Sequence, residues 1–397
     1  MLTPYTESEA ANLIKVTARS RLTLEIIGGG TKRGLGGIVA ASETLSSENL
    51  TGITGYNPAE MVMTAKSGTP LKTIFEALGE QNQMLAFEPP DYRGLYGIEG
   101  EPTIGGLFAA NLSGPRRFQA GAARDHLLGV RFVNGLGDVV SAGGRVMKNV
   151  TGLDLVKLMA GSFGTLGFMT ELTFKVLPKP ETSATLLLSG LDDEAAARAM
   201  AKALAMSVEV SGAAHLPDSC KWQFVDGTLP EGAATALRLE GLSFSVDERI
   251  ARLKSAFPGL ELCVLEQDAS TALWHEIRDV RPFRADGRNR AVWKVSIAPS
   301  EGQRLLQALR LEVGIDGFYD WQGGLLWLRM EAGPEAELLR AGIRQFGGGH
   351  ATLMRATEDE RRAIPVFEPE AAAVAALSGR IREKFDPGGM FNPGKMR

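Results

Sequence analysis

Alternating apolar and polar positions mark out secondary structure along the whole chain. Thr6 and Glu9 form a capping box ahead of Leu13, Ile14 and Val16, which predicts a helix over about 7–19. Leu22, Leu24 and Ile26 alternate as a strand and run into Gly28-Gly29-Gly30-Thr31-Lys32. A second helix is predicted with Thr69 as N-cap, Pro70 at the first helical position, Leu71, Ile74, Phe75 and Leu78 on one face, and Gly79 as the stop. Phe168, Thr170, Leu172, Phe174 and Val176 alternate with Met169, Glu171, Thr173 and Lys175, the pattern of a half-buried strand closed by Pro178. Beyond Pro178-Lys179-Pro180 the two patterns interleave. Strands are predicted near 184–189, 220–225, 234–240, 260–266, 291–297, 324–330 and 350–355. Helices are predicted over 192–206 and 247–256, after Ser300, after Pro334 and around 370–384. This is an α+β chain whose second domain has a mixed or antiparallel sheet.

The length of 397 residues allows two domains with separate cores. Glycine is the compositional outlier: 47 residues, of which 26 fall in 1–180. Glycine lets the backbone take positive φ and lets N–H groups approach a ligand closely. The formal net charge of −4 gives no basic footprint for nucleic acid. Cys220 and Cys263 are too few for an iron–sulfur site, which takes about four thiolates, and no histidine pair has metal-ligand spacing. No signal peptide is recognisable and no apolar run nears the roughly 18 residues of a membrane span, so a cytoplasmic location is expected, with any membrane association through partners.

Three glycine clusters carry the chemistry. Gly28–Lys32 follows a strand, where consecutive N–H groups form an anion-binding nest beside a hydroxyl and an ammonium; it lacks the G-x-G-x-x-G spacing of a Rossmann turn. Thr103-Ile104-Gly105-Gly106 with Asn111 is the second, and Gly161-x-x-Gly164-Thr165-x-Gly167 the third. Gly389-x-x-x-x-Gly394-Lys395 is not a P-loop, because Met396 replaces the Mg²⁺-binding hydroxyl and Pro393 removes an N–H. Three glycine nests in one domain suit an extended anionic ligand such as a dinucleotide.

This arrangement resembles the FAD-binding domain (PCMH type, with two subdomains) of the vanillyl-alcohol oxidase/p-cresol methylhydroxylase superfamily, over residues 1–180 and the tail from 384. Within it the chain is similar to the smaller, FAD-binding flavin subunit of bacterial glycolate oxidases. The likeness is carried by G-T-P-L (68–71), M-L-A-F-E-P-P (84–90), the stretch 103–178, L-W-x-x-I-R (273–278), W-Q-G-G (321–324), G-G-H-A-T-L-M-R (348–355) and F-D-P-G-G-M-F-N-P-G-K-M (385–396). Leu153 departs from the more usual G-Y-D-L.

The resemblance implies an FAD domain over 1–180, a cap domain over 181–365, and a C-terminal helix and tail over 366–397 that returns to the first domain. It implies that Gly28, Gly29, Gly30, Thr31 and Lys32 hold the FAD pyrophosphate, that Thr103, Ile104, Gly105, Gly106 and Asn111 line the flavin and ribityl region, that Gly161, Gly164, Thr165 and Gly167 pass the adenosine half, and that Asn392 sits near the isoalloxazine. With no histidine or cysteine in 28–32, FAD is expected to be non-covalent. His350 has two readings, packing residue or general base, and Arg278, Arg281 and Arg355 are the candidates to clamp a substrate carboxylate. The partners implied are a larger FAD subunit and an iron–sulfur subunit. The alternatives are a self-sufficient 2-hydroxy-acid oxidase and a scaffold that has lost its cofactor.

Overall fold

The computed structural model describes residues 1–144 and 153–396; residues 145–152, part of the long glycine-rich stretch, lie outside the described residues. The helix Glu7–Arg19 begins where the capping box puts it, with Thr6 accepting the Glu9 N–H at 3.1 Å. Strand Leu24–Ile27 pairs in parallel with Glu43–Ser46, and residues 390–392 of the tail lie along its other edge. A five-stranded antiparallel sheet follows, in the order Ile53–Asn57, Val62–Lys66, Phe168–Lys175, Leu127–Val133, Val139–Gly143. Its central strand, Phe168–Lys175, is the one whose alternation is clearest in the sequence.

Strand Thr182–Ser189 opens a second sheet of eight strands, antiparallel throughout. Its order is Leu262–Leu265, Thr182–Ser189, Ala234–Gly241, Gly212–Leu216, Ile315–Asp320, Leu325–Met330, Val292–Ile297, Gly349–Arg355. Two of these strands escape the periodicity reading. Gly212–Leu216 is completely buried, and a Cβ on Gly212 would stand 2.8 Å from the Trp274 ring, so packing demands small residues that carry little β signal. Ile315–Asp320 is largely buried on both faces and shows no alternation. The strand expected at 220–225 is instead the helix Asp218–Lys221 and a turn, with Trp222 exposed. Helix Leu71–Gly79 forms, but Thr69 is not its cap: the hydroxyl bonds Lys66 O at 2.7 Å and Gly52 instead.

The cap meets the first domain through a network of buried charge. Glu88 takes both Arg238 Nη1 (2.7 Å) and Nη2 (3.1 Å) and the Arg116 amide (2.6 Å), while Arg116 Nη2 reaches Glu240 at 2.7 Å. Arg238 also stacks on Trp274, 4.6 Å from the ring centroid. Beside this, Trp321 donates to Gly114 O at 3.0 Å and Tyr92 meets Trp327 edge-on at 5.7 Å. Burial alone would raise the Glu88 pKa, but Arg238 and Arg116 outweigh it and hold the carboxyl down to about 2. Arg238→Ala is expected to lower the unfolding free energy by about 3–5 kcal/mol, because it leaves buried carboxylates without their fork. Urea titration measures this, and a loss below about 1 kcal/mol would show that the domains are held by other contacts. The folded-state pKa of Glu88 is depressed, so its contribution is present above the ordinary 4.5 and is lost as pH falls toward 2.

Candidate functional site

Strand Leu24–Ile27 delivers the chain into the glycine loop, which lies flat against residues 100–103. A Cβ on Gly28 would come within 2.2 Å of Thr103 Oγ1, and one on Gly29 within 1.8 Å of Glu101 O. Gly30 has φ +73° and open space where its Cβ would be. The Arg33 N–H returns to Gly30 O, but none of the five amide N–H groups of Gly28–Lys32 has a protein acceptor among the described residues. Thr103 caps the short helix Ile104–Ala109 by accepting the Gly106 N–H.

These elements line one cleft, whose other walls are Ser67, Ala109, Ala110, Phe163, Gly164, Gly167, Phe168 and Met169. Asn392 closes it. The Asn392 Oδ1 accepts the Ile26 N–H at 2.7 Å, and its Nδ2 donates to Phe163 O at 2.7 Å. The Ser67 hydroxyl is buried without a partner. Lys32 and Lys395 have no carboxylate within salt-bridge distance among the described residues, and burial pulls each ammonium down to about 8. Unpaired amides, two desolvated cations and an apolar far wall fit a dinucleotide with its diphosphate on the loop.

Of the residues named from the sequence, Gly28–Lys32, Thr103, Gly105, Gly106, Gly164, Gly167 and Asn392 line the cleft. Ile104 is fully buried behind it. Asn111 accepts the Arg124 N–H and packs on Gly161, while Thr165 bonds Ser162 O; these three support the walls from behind. A Cβ on Gly105 would sit 2.7 Å from Ser67 Cβ and O, so protein packing alone requires this glycine. Lys395 and Ser67 were not anticipated. The signal for Lys395 was its glycine-rich tail.

His350 and Arg278 lie apart from the loop. Arg278 holds Asp279 with both arms at 2.8 Å, and Asp279 also takes the Asp91 amide. His350 is exposed at the start of the edge strand, opposite Ser296. The surrounding protein partly desolvates its ring and so lowers its pKa, even though the residue keeps an exposed side, and two cations that sequence reasoning missed, Lys294 and Arg117, lower it further. Both cations lie over the Trp321 ring, at 5.1 and 4.5 Å from its centroid. Burial draws Lys294 down to about 8 and pushes the neighbouring Asp320 up to about 7.

Residues 1–143 match the family described as FAD binding domain. The whole fold is similar to alkyldihydroxyacetonephosphate synthase, with a TM-score of 0.69 at 16% identity over 98% of this chain and 76% of that one. It is similar also to p-cresol methylhydroxylase with substrate bound, at TM-score 0.67 and 14% identity over 99% and 88%. The solved structures share the fold, while the FAD binding domain match, together with the relative named next, shows an FAD-linked oxidoreductase. Glycolate oxidase subunit GlcE of Escherichia coli (strain K12) is 34% identical over 377 residues, 94% of this chain and 92% of that protein, so the chain belongs to the glycolate oxidase subunit GlcE family. Glycolate oxidase subunit GlcD of Bacillus subtilis (strain 168) is 29% identical over 211 residues, 52% of this chain and 43% of its own length.

Bound diphosphate would return Lys32 toward its ordinary protonation. FAD affinity is therefore expected to be flat below about pH 8 and to fall above it, by up to about tenfold per pH unit, as the free ammonium titrates. Lys32→Met should lower affinity and flatten that decline. Calorimetric titration of the apoprotein between pH 7 and 9.5 measures both, and an unchanged profile in the variant would remove Lys32 from the diphosphate site.

Proposed function

We propose that this chain is the FAD-holding subunit of a glycolate oxidase complex, in which glycolate or a similar 2-hydroxy acid is oxidised to the 2-oxo acid. Its partners are a larger, GlcD-type flavin subunit and an iron–sulfur subunit that accepts the electrons. The observation that carries this reading is the match to a glycolate oxidase subunit over 94% of the chain, with an anion-binding cleft in the matched FAD domain. We place the division of the chain at 1–180, 181–365 and 366–397.

FAD is held without a covalent bond, since no histidine, cysteine or tyrosine is among the described residues that line the cleft. Acid precipitation is expected to leave the flavin in the supernatant, and a yellow pellet would overturn this.

Bound FAD supplies the two-electron acceptor for the hydrogen on Cα. This chain's residues bear on the proton and on the carboxylate. His350, neutral at physiological pH because its pKa is lowered, takes the hydroxyl proton on a ring nitrogen. Arg117 and Lys294, both packed over the Trp321 ring, hold the carboxylate. Arg278, already engaged by Asp279, positions the segment around Asp91. In the preferred reading the partner subunit carries most of the turnover, and this chain holds FAD and supports electron transfer. The Arg117–Lys294–His350 cluster favours the second reading, that this chain oxidises substrate itself. His350→Ala in the assembled complex separates the two. A loss of glycolate oxidation by about 10²-fold or more with FAD content intact makes His350 a catalytic residue. An unchanged rate leaves this subunit as a flavin carrier.

A further inference from the structure

One face of the cap sheet carries a polar cluster of which Lys294 and His350 are only half. Strands Val292–Ile297 and Gly349–Arg355 pair antiparallel, with Lys294 opposite Thr352 and Ser296 opposite His350. Directly opposed residues share a face with their Cβ atoms about 5 Å apart, and residues two apart on one strand share it at about 7 Å. Lys294, Thr352, Ser296 and His350 therefore form a square. The opposite face is core: Trp293, Val295, Ala351 and Leu353, which alternate with these four, are completely buried in one cluster.

Three corners of the square are half-buried and His350 is exposed. The Lys294 Nζ, Ser296 Oγ, Thr352 Oγ1 and His350 ring nitrogens have no hydrogen-bond partner among the described residues, and none of them is sealed from solvent. The guanidinium nitrogens of Arg117, which joins Lys294 over the Trp321 ring, are in the same state. Polar groups that converge on open space without protein partners are satisfied by water until a ligand replaces it. Beyond the square the face turns apolar: Leu325, opposite Ser296, and Trp327, opposite Lys294, are each 2% exposed. Phe163 of the cleft wall packs on Phe367 at 5.2 Å, and Glu368 accepts the Ala351 N–H at 3.3 Å, which ties the edge strand to the wall of the FAD cleft.

We propose that Ser296 and Thr352 contact the substrate, Ser296 donating to the hydroxyl oxygen of a 2-hydroxy acid and Thr352 to its carboxylate. This rests on the reading of Arg117, Lys294 and His350 as a 2-hydroxy-acid site and adds its two neutral donors. Their roles follow from the square. Thr352 stands beside Lys294, the cation for the carboxylate, and Ser296 beside His350, which takes the hydroxyl proton. The two functional groups of a 2-hydroxy acid are on adjacent carbons, so one molecule reaches both rungs. A serine hydroxyl has one hydrogen to donate and can turn it toward the substrate oxygen while that oxygen's own proton faces His350. Leu325 and Trp327 offer nothing to a second acidic group, which suits a short monocarboxylic acid.

The test is calorimetric titration of the FAD-loaded chain with glycolate and with acetate, which lacks the hydroxyl. It is done without oxygen after the flavin has been reduced, so that no glycolate is oxidised. Ser296→Ala is expected to weaken glycolate binding by about three- to tenfold, the loss of one neutral hydrogen bond, and to leave acetate unchanged. Thr352→Val is expected to weaken both acids by about tenfold, the loss of one hydrogen bond to a charged group, and Thr352→Ser to restore them. Tm and flavin content should stay at wild-type values, because neither hydroxyl has a protein partner among the described residues. Equal losses of glycolate and acetate in Ser296→Ala overturn its contact with the hydroxyl, and unchanged acetate affinity in Thr352→Val overturns its contact with the carboxylate. A wild-type chain that binds neither acid overturns the whole site and leaves the flavin-carrier reading standing. A chain that shows the expected pattern yet oxidises no glycolate keeps both contacts and sinks only the reading in which it turns over substrate itself.

Discussion

Asn392 closes the cleft by joining segments that lie far apart in the chain. Its backbone N–H donates to Leu24 O at 2.8 Å, its side-chain oxygen takes the Ile26 amide, and its side-chain nitrogen reaches Phe163. A residue near the C-terminus thus fixes the strand that feeds the glycine loop and the turn that faces it. The tail is held in place by Asp386, whose Oδ2 accepts the Phe391 N–H at 2.7 Å, and by Met390 and Phe391, which are buried with Ile14 and Leu45. Without this return the loop would have a floor and no opposite wall.

The charge network around Glu88 does for the cap what Asn392 does for the cleft. Apolar packing holds the two domains together, and the buried fork between Glu88 and Arg238 adds a directional contact that apolar surfaces lack. That orientation carries Trp321 to Gly114 and brings Lys294 and His350, on neighbouring strands, toward Arg117 of the first domain. The cationic cluster therefore belongs to neither domain alone.

Much of this was legible in the residues because the relevant signals are local. The N-cap at Thr6, the alternation through Phe168–Lys175 and the strand-to-glycine junction at Gly28 each depend on a few neighbouring side chains, and each appears in the structure, although Glu9 turns its carboxylate to the Tyr5 N–H and so does not complete the capping box. The readings that fail do so where a distant partner sets the terms. Thr69 could cap a helix, but it bonds Lys66 and Gly52. Gly212–Leu216 carries no strand signal, and its burial is set by Trp274 lying across it.

The sequence by itself determined most of the elements, the antiparallel or mixed character of the second sheet, and the glycine loop, since backbone freedom and side-chain periodicity are properties of short segments. Tertiary structure alone decided which charges remain without partners. Arg278 and Arg355 look equivalent in the chain, yet Asp279 occupies the first and a ring of carbonyls leaves one nitrogen of the second uncommitted. Lys32, Lys294 and Lys395 become desolvated cations because folding buries them with no carboxylate at salt-bridge distance among the described residues. Burial and pairing depend on what the rest of the chain brings near, and no local pattern encodes that.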